Sequence, residues 1–545
     1  MSRDRDIALR IALLALSSLI FGLAGMSRTP LFDVDEGAFS EATREMLQSG
    51  DFGFTFLNGL PRFDKPILVY WLQAIAMSLL GQDEVGARFV SLLAGLASAW
   101  TAARFVSRWS ERSEAPLIVF ALYGTCFGPL VMRHAATADA LLNLWLCLCT
   151  CSLIESIRLR QLEQDSVTHL KSAQNHLRIA WMACALAVLT KGLIGLIAPA
   201  CVVAGLCIAQ RNLRALRWSF SDPLAWLAWT VLALPWYAYA YWRFSRDFID
   251  GLFGKHHFGR SLQAMEGHSG TWFYTLGMLF VLSLPFTPLL IASLWQRYKE
   301  KSLDVQSLGL LSHALGMLAI FTVVATKLPH YAMYTLLPLL TLISLQPAVS
   351  KKVWLSCVLL GFGFVMFVGV LHPVLAYAID QPTTNPFYRA LIAYGLEHSA
   401  WQTADIAWLA VAFSAIGLAM LTPKAIDRWL CMALGLQGTV CLLMLPAIGQ
   451  MLQSPVKELA KLAGQHPTVS FQLRAPSFSF YRNQITEERL PAAGEWVVLR
   501  SKDFPQLHRA MSPKTQWSMV GAAGPLLLLQ RQASALSSAS KAGLP

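Results

Sequence analysis

The sequence places a small number of charged side chains among residues that are mostly apolar. Three acids stand close together at Asp33, Asp35 and Glu36, and the run Arg-Phe-Asp-Lys follows at 62–65. A carboxylate can act as a base toward an incoming hydroxyl group. Lysine and arginine neutralise a phosphate, and arginine can do so through two hydrogen bonds. These residue types predict a site for an anionic head group beside a reaction centre.

Other polar candidates are far apart in the sequence, but each lies beside an apolar segment. They are Arg133, His134, Asp139, Lys191, the run Lys-His-His-Phe-Gly-Arg at 255–260, and the run Lys-Leu-Pro-His-Tyr at 327–331. Ionisable residues at membrane depth are costly, so they are functional candidates by default. A phosphate-linked lipid that reacts at the outer membrane surface fits this set of side chains.

Each candidate also has a structural interpretation. Asp33 and Asp35 could cap the helix that begins near Ala38. Asp139 could form a structural salt bridge with Arg133. The lysines could extend from helix ends toward water, because their long side chains allow it.

A metal site has little support in the sequence. His256 and His257 are adjacent, and adjacent residues rarely bind one ion. We expect no metal ligands and no required cofactor; a divalent cation stays open.

The elements that carry these residues are membrane helices. Of the 545 residues, 55% are hydrophobic and only 14% are charged, whereas about a quarter are charged in a soluble protein. This composition excludes a cytosolic enzyme, a disordered chain and a nucleic-acid-binding module. The net charge of +12 is typical of basic loops on the cytoplasmic side of a membrane protein.

A transmembrane helix needs about 20 apolar residues, and the sequence predicts thirteen spans. They cover about 8–26, 87–106, 115–133, 138–156, 178–191, 193–209, 223–242, 272–294, 307–325, 331–347, 353–377, 404–421 and 428–449. Alternate loops are basic and, with the N-terminus, should face the cytoplasm. The alternation is unbroken only if 66–81 lies along the outer membrane surface. Loops 27–86 and 243–271 are then external, as are all the candidate residues.

The chain divides into a membrane domain, 1–450, and a soluble domain, 451–545, which an odd number of spans puts outside. Residues 455–464 resemble a short amphipathic helix, and 468–473 and 495–500 alternate as strands do. We therefore expect an α-helical polytopic membrane protein with a small α/β C-terminal domain in the periplasm.

Several motifs carry a family resemblance over residues 30–340, about 60% of the chain. They lie at 34–39 (Val-Asp-Glu-Gly-Ala-Phe), 42–46, 49–51, 57–66 (Leu-Asn-Gly-Leu-Pro-Arg-Phe-Asp-Lys-Pro), 70–71, 137–139, 190–192, 256–260, 272–274 and 327–331. The first-loop motifs resemble the first periplasmic loop of bacterial C-type (GT-C) glycosyltransferases. The similarity is greatest to the branch with the aminoarabinose lipid A transferase and the dolichyl-phosphate-mannose-protein mannosyltransferase-like proteins.

The resemblance implies a fold of thirteen spans with interfacial helices and a small periplasmic domain. It also implies transfer of a sugar, with inversion, from a polyprenyl-phosphate carrier. Asp35, Glu36 and Asp139 match the family's acidic positions and are expected to be catalytic, and Lys65 matches the lysine that binds the carrier phosphate. The other expected binding residues are Arg62, Asp64, Lys191, His256, Arg260, Lys327, His330 and Tyr331. Ser40, Asp64 and His257 depart from the usual family residues, which leaves the sugar open.

The expected partners are a polyprenyl-phosphate-linked sugar, the bilayer, and an acceptor such as lipid A, another glycan or a protein. The sugar could be 4-amino-4-deoxy-L-arabinose or a hexose, and no nucleic acid is expected. The resemblance implies the inner membrane of a bacterium. Two alternatives stay open, a flippase or transporter for lipid-linked sugars and an inactive family member.

Overall fold

The computed structural model describes residues 2–162, 167–259, 270–300, 303–346, 350–381, 384–398, 403–422, 425–512 and 515–532. Within these ranges the chain is mainly α-helical as far as Ala463, and a small sheet follows. The expected architecture, a polytopic helical region with a small α/β domain after it, is confirmed.

The loop after α1 (Ser2–Arg28), which we expect to be external and call the first external loop, is an ordered unit. It consists of α2 (Asp35–Ser49), the paired strands β1 (Phe56–Leu57) and β2 (Leu60–Pro61), and α3 (Leu68–Leu80). Asn58 and Gly59 join the strands with φ of 52° and 77°, the left-handed values that favour Asn-Gly in a two-residue hairpin turn. The Glu45 carboxylate accepts both of their backbone N–H groups, at 2.5 and 3.0 Å, and so fixes the hairpin against α2.

Helix α3 is the segment that we expect to lie along the membrane surface. Its 13 residues extend about 20 Å, which is less than the ~30 Å hydrocarbon core of a bilayer. Its length therefore agrees with an interfacial position.

The next helices form the part of the bundle that carries the site. They are α4 (Glu84–Trp109), α5 (Ala115–Thr125), α6 (Phe127–Met132), α7 (Asp139–Leu162), α8 (Val167–Lys191), α9 (Ile194–Ala209), α10 (Arg214–Ser219) and α11 (Pro223–Ile249), followed by a π-helical segment, Asp250–Gly259. Asp83 caps α4 by accepting the N–H groups of Val85 and Gly86, and Asp222 caps α11 through the Leu224 N–H. Since α7 and α8 run antiparallel, the start of α7 lies beside the end of α8.

The second half of the bundle contains α12 (Tyr274–Leu282), α13 (Thr287–Lys299), α14 (Val305–Val323), α15 (Met333–Ser344), α16 (Lys351–Gly369), α17 (Leu371–Ile379), α18 (Pro386–His398), α19 (Thr403–Leu421), α20 (Ala425–Gly438) and α21 (Leu445–Ala463). A short 3₁₀ helix, Pro329–Ala332, precedes α15. The main core lies among α5, α7, α14 and α15, where Val119, Ile154, Leu310 and Leu336 are fully buried.

Among the described residues, seven helices are long and apolar enough to span a membrane, or eight if α12 and α13, which meet at 114°, form one bent span. Helices α5 and α9, two of the expected spans, are shorter and apolar. The expected number of thirteen therefore stays a prediction.

The last helical region runs from the bundle into the C-terminal domain without interruption. Helices α20 and α21 are joined by a π-helical segment, Thr439–Met444, and residues 427–463 form one continuous helical rod of 37 residues. The helix expected at 455–464 is the end of this rod rather than a separate element. The expected domain boundary at 450–451 thus falls inside a helix.

The C-terminal sheet has the order β3-β4-β6-β5. Its strands are β3 (Thr468–Ser470), β4 (Trp496–Arg500), β5 (Trp517–Ala523) and β6 (Leu526–Arg531), and helices α22 (Pro476–Arg482) and α23 (Phe504–Ala510) connect them. β3 and β4 are parallel, with Val469 opposite Val497, and the other pairs are antiparallel. The two expected strands are present, and β5 and β6 are additional. Val498 and Leu528 are fully buried under α21 and α22.

Candidate active site

The first cluster of the site forms where α7 begins and α8 ends. Asp139, the first residue of α7, lies 2.5 Å from the ammonium nitrogen of Lys191, the last residue of α8. The Tyr334 hydroxyl donates to the same Asp139 oxygen, and Lys191 donates to that hydroxyl at 3.0 Å. A carboxylate at a helix N-terminus and an ammonium group at a helix C-terminus both interact favourably with the helix dipole. This placement and the pairing stabilise the two charges in a buried position.

Two neighbours complete the Asp139 cluster. The Nε2 atom of His330 is 3.6 Å from the Asp139 carboxylate. The ring of Tyr331 is buried, and its centroid lies 5.8 Å from the Lys191 ammonium. The predicted residues Asp139, Lys191, His330 and Tyr331 are therefore brought together.

The alternative pairing of Asp139 with Arg133 is not present. Arg133 is buried and donates to the Ser18 hydroxyl at 3.2 Å. Asp139 instead forms its ion pair with Lys191.

The second cluster lies in the first external loop, after the hairpin. The Asp64 carboxylate is 2.8 Å from the Arg62 guanidinium and 3.0 Å from the Lys65 ammonium. Arg62 also donates to the Tyr70 hydroxyl at 3.2 Å and stacks over the Phe39 ring at 5.5 Å. Tyr70 thus connects the loop to α3, and Phe39 connects it to α2. Although burial opposes it, the interactions with Tyr70 and with the carboxylates of Asp64 and Asp35 raise the pKa of Arg62 above its ordinary value.

Glu36 and Asp35 are adjacent but have opposite environments. Glu36 is buried, and its carboxylate accepts from Arg88 at 2.6 and 3.0 Å and from the backbone N–H groups of Phe32 and Ala136 at 2.8 and 2.6 Å. Asp35 is exposed at the start of α2, where the structure gives it no capping hydrogen bond. The structure thus leaves the Asp35 carboxylate accessible to a substrate and holds that of Glu36 inside the protein.

His330 contacts the Asp139 cluster and is influenced electrostatically by the first loop. Burial lowers the pKa of this imidazole below its ordinary value. The carboxylates of Asp139 and Asp35 oppose the shift, and the ammonium groups of Lys191 and Lys65 add to it. Both loop charges are therefore within electrostatic range of the residue that contacts Asp139. His330 therefore links the first loop with the ends of α7 and α8 in one candidate site.

Lys327 points to the end of its own preceding helix. Its ammonium donates to the backbone carbonyls of Phe321 and Thr322 at 3.1 and 2.5 Å, at the C-terminus of α14. These contacts are typical of a lysine that satisfies unpaired helix-end carbonyls. A role for Lys327 in carrier binding stays a prediction, and its observed contacts favour a structural one.

Two predicted residues cannot be assigned to either cluster. His256 belongs to the π-helical segment Asp250–Gly259, but the structure describes only its backbone. Arg260 lies outside the described residues. Their expected roles in binding stay predictions.

The C-terminal domain contacts the acidic segment directly. One oxygen of Asp33 accepts the Ser477 backbone N–H at 3.0 Å, and the other accepts the Ser477 hydroxyl. A Cβ on Gly37 would lie 2.6 Å from the Ser477 nitrogen, so this close approach depends on glycine. Burial raises the pKa of Asp33 to about 7. Asp33 caps α22 instead of the helix that follows it in the sequence.

Two further residues of the site were not found from the sequence, whereas Tyr70, which holds the loop cluster, lies in the motif at 70–71. Tyr334 holds the Asp139 cluster, but a tyrosine in an apolar segment gives no specific signal. Arg88 did give a signal, because it lies at the start of the predicted span 87–106 and a buried arginine in a span requires a partner. Within the part of the chain that is described, no three His, Cys, Asp or Glu side chains group as metal ligands.

Comparison with known proteins gives concordant results. A family model described as dolichyl-phosphate-mannose-protein mannosyltransferase matches residues 32–249. The undecaprenyl phosphate-alpha-4-amino-4-deoxy-L-arabinose arabinosyl transferase of Erwinia tasmaniensis is 29% identical over 340 residues, 62% of this chain and 59% of that protein. A protein of the same name from Yersinia pestis is 27% identical over 334 residues, 60% of this chain and 57% of that protein. The matched region thus spans less than two thirds of these relatives' length.

The fold is also found in a solved structure. ArnT from Cupriavidus metallidurans, bound to undecaprenyl phosphate, has a TM-score of 0.77 at 18% identity, and the match covers 96% of this chain and 98% of that chain. The same protein in the apo state has a TM-score of 0.76. The fold is therefore shared over nearly the whole length, beyond the region of sequence similarity. The chain is thus similar in sequence to the dolichyl-phosphate-mannose-protein mannosyltransferase family and to the aminoarabinose transferases, and it shares its fold with ArnT.

Proposed function

We propose that the protein transfers a sugar from a polyprenyl-phosphate carrier to an acceptor at the outer face of the membrane. The observation that carries the proposal is that the charges of Asp35 and Lys65 act on the imidazole of His330, which lies 3.6 Å from the Asp139 carboxylate of the Asp139–Lys191 pair. Such a site offers cations for a phosphate and a free carboxylate for the reacting hydroxyl group. These are the two requirements of the reaction.

The carrier phosphate binds at the basic side of the site. Lys65 and Arg62 lie on either side of Asp64, so their charges are already oriented before substrate arrives. When the bond between sugar and phosphate breaks, negative charge develops on the leaving phosphate. Preorganised cations stabilise that charge and lower the barrier. Lys191 is held by Asp139 and assists from the membrane side.

Asp35 acts on the acceptor. Its exposed carboxylate takes the proton of an acceptor hydroxyl, which then attacks the anomeric carbon from the face opposite the phosphate and inverts its configuration. If the acceptor is itself a phosphate, no strong base is needed, and Asp35 positions the acceptor or stabilises positive charge on the sugar ring. Glu36 is a positioning residue, because its carboxylate is occupied by Arg88 and two backbone N–H groups.

The donor to test first is undecaprenyl phosphate linked to 4-amino-4-deoxy-L-arabinose, because the related proteins carry that name. A hexose carrier is the second. The acceptor is a lipid such as lipid A, a glycan or a protein. We place the N-terminus in the cytoplasm and the site and the C-terminal domain in the periplasm of a bacterial inner membrane, since the basic loops alternate accordingly.

The test is transfer of labelled sugar in membranes that contain either the wild-type protein or Asp35→Asn. We expect wild type to move label to an acceptor and Asp35→Asn to lose at least a hundredfold of the rate. Asp380→Asn is the matched control, because Asp380 is exposed at the end of α17 and should keep full activity. Full transfer by Asp35→Asn would refute the assignment. Movement of the donor across vesicle membranes without transfer would instead support a flippase.

A further inference from the structure

An apolar cavity lies in the membrane region, at the end of the bundle away from the Asp139 cluster. Its volume is about 610 Å³, and it is lined by residues of α7, α8, α9, α10 and the start of α11. The lining is almost entirely apolar and includes Trp181, Cys184, Leu216 and Trp226. It is separate from every residue that the sugar-transfer proposal uses.

The cavity opens sideways toward the bilayer. Ala200, Ala204 and Ile208 follow one another at intervals of four along α9, line the cavity and are exposed. Residues at i, i+4 and i+8 share one face of a helix. The small alanines leave the space open, so a lipid chain can enter from the membrane without displacing protein side chains.

The dimensions fit one acyl chain. The lining of α9 runs from Leu196 to Ile208, which is about 18 Å at ~1.5 Å per residue. One leaflet supplies about half of the ~30 Å hydrocarbon core. At ~30 Å³ for a water-sized group, the cavity holds about 20 such groups, close to the carbon count of one acyl chain. A polyprenyl carrier is several times longer than this.

The mouth of the cavity is basic. Arg211, Arg214 and Arg217 lie on α10 and the turn before it, and all three are exposed. Among the described residues none of them has a carboxylate partner. Leu213 and Leu216 of the same segment line the cavity. This segment therefore places exposed arginines directly beside the leucines that line the cavity, a composition typical of an interfacial segment.

Aromatic rings surround the same mouth. Trp181 and Trp226 lie 4.2 Å apart between ring centroids, and Phe220 stacks on Trp226 at 5.0 Å. Tryptophans are enriched where the bilayer core meets the head groups. The rings thus mark the depth at which a lipid's polar end would leave the cavity for the arginines.

We propose that this cavity binds an anionic glycerophospholipid, with one acyl chain along α9 and the head-group phosphate at Arg211, Arg214 and Arg217. Basic pockets between membrane helices on the cytoplasmic side are a known type of anionic-lipid site. The exposed arginines, which have no carboxylate partner among the described residues, favour an anionic head group, and the length favours an acyl chain over a polyprenyl chain. The site lies outside the catalytic clusters, so the bound lipid is a structural or regulatory partner.

The test is native mass spectrometry of the full-length protein equilibrated with dioleoylphosphatidylglycerol or dioleoylphosphatidylethanolamine. We expect wild type to retain phosphatidylglycerol preferentially. Arg214→Gln/Arg217→Gln should bind it about 30-fold more weakly, from the usual contribution of two basic residues at an anionic membrane surface. Lys351→Gln/Lys352→Gln is the matched control, since it removes the same charge from exposed positions at the start of α16.

A second variant tests the chain rather than the head group. Ala204→Trp fills the cavity from an exposed position on α9 and should abolish retention of both lipids with little effect on folding or on sugar transfer. Equal retention by wild type and both variants would overturn the proposal. So would displacement of phosphatidylglycerol from this site by undecaprenyl phosphate at equal concentration, because the cavity would then serve the carrier.

Discussion

Asp35 and Glu36 are neighbours in the chain, but the structure predicts that replacing them has different consequences. The Glu36–Arg88 pair is buried, with 5% and 1% of the side chains exposed. Arg88 also donates to the carbonyls of Thr29 and Pro30 at 2.5 and 2.8 Å. One arginine therefore joins α4 to the segment between α1 and α2, and Glu36 neutralises it.

The cost of breaking this pair can be worked out from its contacts. Glu36→Gln leaves the Arg88 charge buried without a counter-ion and turns an amide N–H₂ toward donors that the carboxylate now satisfies. Removing one partner of a buried pair typically costs about 3–5 kcal/mol. Asp35→Asn changes an exposed side chain with no capping bond and should change stability by less than ~0.5 kcal/mol.

The assay is thermal unfolding of the purified protein in detergent, measured together with sugar transfer. We expect Glu36→Gln to lower the Tm by several degrees and to lower transfer in proportion to the folded fraction. Asp35→Asn should keep the wild-type Tm and lose transfer. A Glu36→Gln protein with the wild-type Tm and no transfer would refute the reasoning, because Glu36 would then be a reacting group.

Further predictions follow from the same contacts. Lys65→Ala should raise the KM for the polyprenyl-phosphate donor at least tenfold. Lys327→Ala should lower the Tm and leave that KM unchanged, because the Lys327 ammonium contacts helix-end carbonyls. Equal effects of the two substitutions on KM would contradict this distinction. Burial raises the pKa of Asp33 from 3.8 to about 7, so its contribution to stability is complete below about pH 4 and is lost as the pH rises through 7. Tm measured from pH 4 to 8 should therefore fall less in Asp33→Asn than in wild type, and parallel curves would argue against the assignment.

The sequence was sufficient for the elements that membrane physics determines strongly. The apolar composition and the basic loops indicated a polytopic helical protein. The segment 66–81 contains the 13-residue α3, and its position along the membrane surface stays a prediction. The number of spans was less certain. Residues 274–299 form two helices that meet at 114°, and no periodicity in one sequence predicts such a bend.

The site could be predicted as a set of residues but not as a geometry. Asp139 and Lys191 were both conspicuous because charge near a membrane span is costly, yet Arg133 is much nearer to Asp139 in the sequence than Lys191 is. The antiparallel packing of α7 and α8 decides for Lys191. Glu36 shows the same limit. Its acidic type could be read from the sequence, but its four hydrogen bonds could not, and one of them comes from Ala136, 100 residues further along the chain.

The C-terminal domain is hydrogen-bonded to the loop that carries Asp35. Asp33 accepts a hydrogen bond from Ser477. The Ser479 hydroxyl donates to Asn58 at 2.9 Å, and the Tyr481 hydroxyl accepts the Leu31 N–H at 2.7 Å. These three contacts, all from α22, fix the backbone on both sides of Asp35, which has no capping bond of its own. The position of the exposed carboxylate therefore depends on a domain that contributes no reacting group. Catalysis requires such groups to be held within a fraction of an ångström, so changes in α22 should lower the turnover rate even where the substrate contacts are intact.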